Sequence, residues 1–129
     1  MRIVRLGSAR SPQEGLRIGA VRRPPRGVPK SEYASRDIYA LWFPILAPSE
    51  DLLKRYVGTG ELQWKAFKRQ FLAQMKEAGP KRDLDLLAAL SHTANYAIGC
   101  YCEDEAVCHR SALRELLDAR GADIDSSGA

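Results

Sequence analysis

The chain has 129 residues, of which 45% are hydrophobic and 28% charged, the composition of a globular domain able to bury one core. No apolar run reaches the roughly 18 to 20 residues that a bilayer span needs, and the first ten residues, MRIVRLGSAR, hold no apolar core of signal-peptide length, so a cytoplasmic protein without a membrane partner is expected. Three cysteines, an odd number in such a context, make a disulfide framework a poor reading and reduced thiols the default.

The net charge of +4 is unevenly spread. The first thirty residues carry eight cations (Arg2, Arg5, Arg10, Arg17, Arg22, Arg23, Arg26 and Lys30) against a single acid, Glu14, whereas acids outnumber cations in the rest. Such a bias fits a solvated or anion-facing surface, and a nucleic-acid or protein partner is a further reading.

In chain order, RIVRL (2–6), LRIGAVRR (16–23) and IYALWFPIL (38–46) read as strands, with Trp42 and Phe43 expected inside. Between the last two, PPRGVPK (24–30) packs three prolines and a glycine into seven residues, which forbids regular structure and predicts a cationic loop. Ser49 precedes two acids and an apolar run and is expected to cap a helix. In ELQWKAFKRQFLAQMKEAGP, Trp64, Phe67, Phe71 and Met75 fall on one helical face, with Gly79-Pro80 as the stop. A further helix is expected over 83–91, with Leu86, Leu87 and Leu90 in register, then a short strand in NYAIGCYC (95–102). The last helix carries Leu113, Leu116 and Leu117 on one side and ends at Gly121. Strands interleaved with helices predict a small layered α/β domain over 1–122, with a mainly parallel or mixed sheet flanked by helices, and a flexible tail over 123–129. In such sheets ligands gather at the carboxyl ends of strands, where the loop after residue 102 would lie.

That loop belongs to GCYCEDEAVCHR (99–110), which holds all three cysteines and His109. Cys100, Cys102, Cys108 and His109 supply four ligands, the number tetrahedral zinc wants, with iron as a second candidate metal. The spacing fits less well than the count: strand alternation puts Cys100 and Cys102 on one side, but nothing brings Cys108 there, and adjacent residues on a helix diverge by about 100°. A second reading makes Cys108 a nucleophile or redox thiol, activated by the amides of a helix start and by Arg110, with His109 as proton carrier and Arg110 as anion clamp. In a third, the cysteines pack as small hydrophobes, Asp104 caps the helix and His109 sits at the surface. Across these readings Arg22, Arg23, Arg26 and Lys30 are the candidates to receive an anionic, for instance phosphorylated, small molecule, although the acids Glu103 to Glu105 would repel one unless turned away or paired.

Taken together, RIGAVRRPPRGVPK, DIYALWFPILAPSEDLLK, WKAFKRQF and IGCYCEDEAVCHRSALRELL resemble, in order and spacing, the bacterial family known as domain of unknown function 488, from about Leu16 to Ala122. The resemblance implies no established activity. It does imply that Cys108, His109 and Arg110 form a turn shared by some members. It also implies that a shorter branch keeps RGVPK and LAPS but lacks the cysteines. A metal on Cys100 and Cys102 would then not be the common purpose of the fold, and the Pro/Arg loop becomes the better candidate for a shared anion site.

Overall fold

The computed structural model describes residues 1–125. Four parallel strands form one sheet in the order β1-β4-β2-β3: β1 (Arg2–Arg5), β2 (Leu16–Gly19), β3 (Leu41–Trp42) and β4 (Tyr96–Cys100). The helices are a short α1 (Glu50–Leu53), which runs into a wider turn over Lys54–Gly58, then α2 (Trp64–Gln74), α3 (Ala78–Leu90) and α4 (His109–Asp118). A small α/β domain is thus what the alternation of apolar runs produces. Among the described residues, no helix is long and apolar enough to cross a membrane.

Register explains the two faces of the sheet. Ile3, Ile98 and Ile18 lie side by side across β1, β4 and β2 and join the larger core with Phe67 and Phe71 of α2, Leu84 of α3, and Leu113 and Leu117 of α4. One residue further on, Val4, Gly99 and Gly19 are aligned. A Cβ on Gly99 would lie 2.7 Å from a Leu6 methyl, and one on Gly19 would lie 2.4 Å from the Tyr39 ring. The glycines therefore let Leu6 and Tyr39 lie flat on the strands and close a second, smaller core of Leu6, Val21, Ile38, Tyr39, Cys100 and Cys108. β4 is buried along its whole length, as expected of a strand paired on both edges.

Several local expectations shift. Ser49 Oγ does accept the amide of Leu52, and Gly121, with φ +75°, ends α4 as the Ala122 amide reaches back to the Leu117 carbonyl. Gly79-Pro80 is not a stop. It lies in the first turn of α3, where the proline removes an amide that would have no intrahelical partner. The run over 38–46 shrinks to two paired residues, and Trp42 is exposed, its indole Nε1 donating to the Val21 carbonyl at 2.8 Å. In α3 the inward residues are Leu84, Leu87 and Ala88, whereas Leu86 and Leu90 face solvent. At the C-terminal end, Asp123 and Asp125 bond with Met1 through backbone groups, and Asp125 also pairs with Arg2 at 3.0 Å; the rest of the expected tail, 126–129, lies outside the described residues.

Candidate functional site

Because all four strands are parallel, their carboxyl ends share one edge of the sheet. The central strand β4 delivers Cys100 to that edge. The chain then folds back on itself. Asp104 Oδ1 accepts the Ala106 amide at 3.0 Å, a single tight turn covers Glu105–Val107, and the Cys108 amide bonds to the Glu105 carbonyl at 3.1 Å. Asp104 therefore caps this turn rather than α4. Arg114 clamps Glu105 through two bonds of 2.7 and 2.9 Å, and the Tyr56 hydroxyl donates to the Val107 carbonyl at 2.8 Å. Of the other acids, Glu103 pairs with Arg5 at 3.5 Å.

The reversal brings the three sulfurs within 4.8 Å of one another. Cys100 and Cys108 are buried with their sulfurs 2.8 Å apart, and Cys102 is exposed. Hydrogen bonding to the Cys100 and Cys108 thiols, helped by the charge of Arg110, pulls the Cys102 thiol down to about 3. The same sharing of protons with Cys102 and Cys108, reinforced by burial, pushes Cys100 up. The cluster thus keeps its negative charge on the sulfur nearest solvent.

Cys108 sits in extended conformation (φ −121°, ψ 151°) one residue before α4, and His109 and Arg110 open the helix. His109 is not a surface residue: it is 7% exposed and lies edge-on to Phe71. Its Nε2 lies 2.6 Å from the Ala20 carbonyl, which can only accept, so this nitrogen carries the proton. The other nitrogen, Nδ1, faces Cys108 Sγ at 3.7 Å and in the neutral ring presents a lone pair to that thiol. Arg110 is 4% exposed and donates to the Cys102 carbonyl at 2.5 Å, but its buried Nε has no hydrogen-bond partner. Burial opposes its charge, yet the nearby sulfurs of Cys100 and Cys108 and the Glu105 carboxylate outweigh that and hold the guanidinium proton more tightly.

A cleft of about 270 Å³ opens beside the cysteines, lined by Arg22, Arg23, Pro24 and Arg26 of the Pro/Arg loop and by Cys100, Tyr101, Cys102 and His109. Tyr101 ties the two walls by donating to the Arg23 carbonyl at 3.0 Å. The four loop cations are not equivalent. Arg22 donates through Nε to the Pro48 carbonyl and through Nη2 to the carbonyls of Pro44 and Ala47, and Arg23 pairs with Glu50 at 2.9 Å. Arg26 is exposed and makes no hydrogen bond or ion pair among the described residues, and Lys30 lines a different hollow with Arg10 and Tyr33. Cys108 and Arg110 lie behind the lining; Arg110 instead borders a second hollow near Arg2 and Arg5.

One charged arrangement escapes a reading of the sequence. Glu14 and Arg17 are 2% and 1% exposed and form a two-pronged ion pair of 2.9 and 3.2 Å, with the remaining Arg17 donors on the carbonyls of Ser8, Ala9 and Asp37. The signal was the lone acid of the basic quarter, three residues from an arginine. Arg2, Arg5 and Arg10 are also paired, with Asp125, Glu103 and Asp37. Of the eight cations only Arg17 is buried, but six (Arg2, Arg5, Arg10, Arg17, Arg22 and Arg23) are already held by acids or carbonyls of the fold.

Residues 1–121 match the family model DUF488-N3a, described as the active DUF488-N3 subclade. The chain belongs to this subclade. The match includes β1 and Glu14, which lie ahead of the stretch whose motifs resemble the wider family, and it ends after α4. No curated protein and no solved structure matches the chain. For this DUF488-N3 protein the site's chemistry rests on its own geometry.

Proposed function

We propose that the protein takes an anionic small molecule into the cleft between the Pro/Arg loop and the cysteine turn, and acts on it through a thiolate at Cys102. The observation that carries this reading is an exposed sulfur, Cys102, opening into the same cleft as Arg26, the one loop arginine left without a partner among the described residues; hydrogen bonding from Cys100 and Cys108 and the charge of Arg110 favour its thiolate. Cys108, buried behind the cleft, is the less suitable nucleophile; its part is to share protons with Cys100 and Cys102, with His109 Nδ1 able to accept one from it. Arg110 is a positioning residue that holds the Cys102 carbonyl and supplies positive charge behind the sulfurs.

Alkylation with a charged and a neutral reagent of similar size tests this. Relative to a free thiol, Cys102 is expected to prefer iodoacetate over iodoacetamide, and the preference should shrink with added salt and with Arg26→Glu. A reagent preference equal to that of a free thiol, unmoved by salt, refutes the anion site.

A second reading, a metal held by the cysteines, is favoured by the closeness of the three sulfurs. Two sulfurs on a tetrahedral zinc with bonds of about 2.3 Å lie about 3.8 Å apart. Cys100 and Cys108, at 2.8 Å, would have to separate by roughly that difference. His109 is not part of the close group, so a fourth ligand would come from solvent or substrate. Elemental analysis of protein purified without added metal decides it: zinc or iron near one equivalent supports this reading, and substoichiometric metal removes it.

A further inference from the structure

We infer that the three cysteines form a thiol–disulfide relay, in which Cys102 exchanges with an anionic low-molecular-weight disulfide in the cleft and passes the oxidation inward to a Cys100–Cys108 disulfide. The inference rests on the reading of Cys102 as the reactive thiol. Three independent features carry it.

The first is distance combined with burial. Every sulfur lies within 4.8 Å of the others, so Cys102 can be attacked by either neighbour, and the 2.8 Å pair is the one whose bond requires least movement. Only Cys102 is exposed, so a bulky disulfide enters there and nowhere else in the cluster. The second feature is the proton path. Forming a disulfide from thiols requires a proton to leave, and His109 Nδ1, 3.7 Å from Cys108 Sγ, is placed to take it, the ring being held by its Nε2 bond to Ala20. The third is the unpartnered Nε of Arg110, a buried donor on a guanidinium that interacts with Cys100 and Cys108 and so is available to a sulfur anion when the exchange creates one.

The steps balance. Cys102 thiolate attacks one sulfur of the disulfide RSSR; the S–S bond breaks, and RS⁻ leaves to take a proton from solvent, so that Cys102 carries SR. Cys108, losing its proton to His109, attacks Cys102 Sγ, and the second RS⁻ departs to be protonated. Cys100 attacks Cys108 Sγ and expels Cys102, its proton passing to the departing Cys102 sulfur and from there to solvent as Cys102 returns to thiolate, while His109 releases its proton to solvent. Two protein thiols have lost two electrons, one disulfide has become two thiols, and Cys102 is as it began.

The test uses the full-length reduced protein and oxidised glutathione, followed by alkylation under denaturing conditions, intact mass measurement and disulfide mapping. The expected product has one alkylatable cysteine, no retained glutathione and a bond mapped to Cys100–Cys108. In Cys102→Ser this oxidation should be lost on the same timescale, and in Cys100→Ser/Cys108→Ser glutathione should stay on Cys102. A wild-type protein that keeps glutathione on Cys102 with the other two cysteines alkylatable overturns the relay and leaves the proposed function standing. A bond mapped to any other pair also overturns it. Failure of Cys102 to exchange at all removes both. The wild-type result decides the matter even where a variant does not fold.

Discussion

Ionisation of Cys102 makes a prediction whose magnitude runs against intuition. A free thiol titrates near 8.5, so at pH 6 only about 0.3% of it is thiolate. Cys102, held at about 3 by its neighbouring thiols and Arg110, stays ionised there, about 300 times more than a free thiol. A weaker base is also a weaker nucleophile, and a Brønsted slope of about 0.45 over that range lowers intrinsic reactivity by about 300-fold. The two effects cancel close to pH 6. Towards iodoacetamide, Cys102 should then react about 70-fold more slowly than a free thiol at pH 8 and about 100-fold faster at pH 4.

The diagnostic is therefore the slope. Alkylation of Cys102, followed by peptide mapping so that Cys100 and Cys108 are counted separately, is expected to be nearly flat from pH 8 to pH 4, while the reference thiol falls about tenfold per pH unit. Reduced access to the cleft would lower every Cys102 rate by one factor and leave the slope unchanged. A tenfold fall per unit at Cys102 would refute the argument that the cluster concentrates its charge there. The sign for stability follows: a depressed thiol stabilises the fold fully above its unfolded value near 8.5 and progressively less as pH falls towards about 3. The stability difference between wild type and Cys102→Ser should accordingly narrow on acidification.

Arg110→Met removes the positive charge behind the sulfurs and should raise the pH at which Cys102 alkylation falls away, read from the same profile. Arg17→Met strands the buried Glu14 carboxylate and is expected to destabilise by about 3 to 5 kcal/mol in urea titrations, with Glu14→Gln added to it recovering part of the loss. Gly15→Ala places a Cβ 2.0 Å from the Asn95 carbonyl oxygen at φ +79°, and a loss of at least about 2 kcal/mol is expected in the same assay.

The layered architecture and most helices were legible because apolar periodicity reports burial directly: Phe67, Phe71 and Met75 are inside, as their spacing requires. The misreadings came where tertiary placement overrides local pattern. Leu86 and Leu90 share a helical register with one another but not with the face that Leu84, Leu87 and Ala88 turn inward. Trp42 is apolar by type and exposed by position, because β3 is an edge of the sheet and only two residues long. The Glu14–Arg17 pair is invisible to any rule that sends charges outward, and its burial is tolerated because every Arg17 donor finds an acceptor.

The cysteine turn shows why spacing alone undersells a site. Treating Cys108 and His109 as neighbours on a helix makes them diverge, which is true, but Cys108 precedes the helix in extended geometry and so is free to turn inward. The five residues between Cys102 and Cys108 would hold the sulfurs apart if extended; the tight turn over Glu105–Val107, pinned by Arg114 and Tyr56, reverses them instead. Divergence then becomes useful, since Cys108 faces Cys100 while His109 reaches the Ala20 carbonyl and leaves Nδ1 beside the thiol. Arg110, one residue further, returns to the Cys102 carbonyl. Three consecutive residues thus address three different parts of one cluster, and that arrangement depends on the bend before the helix as much as on the residues themselves.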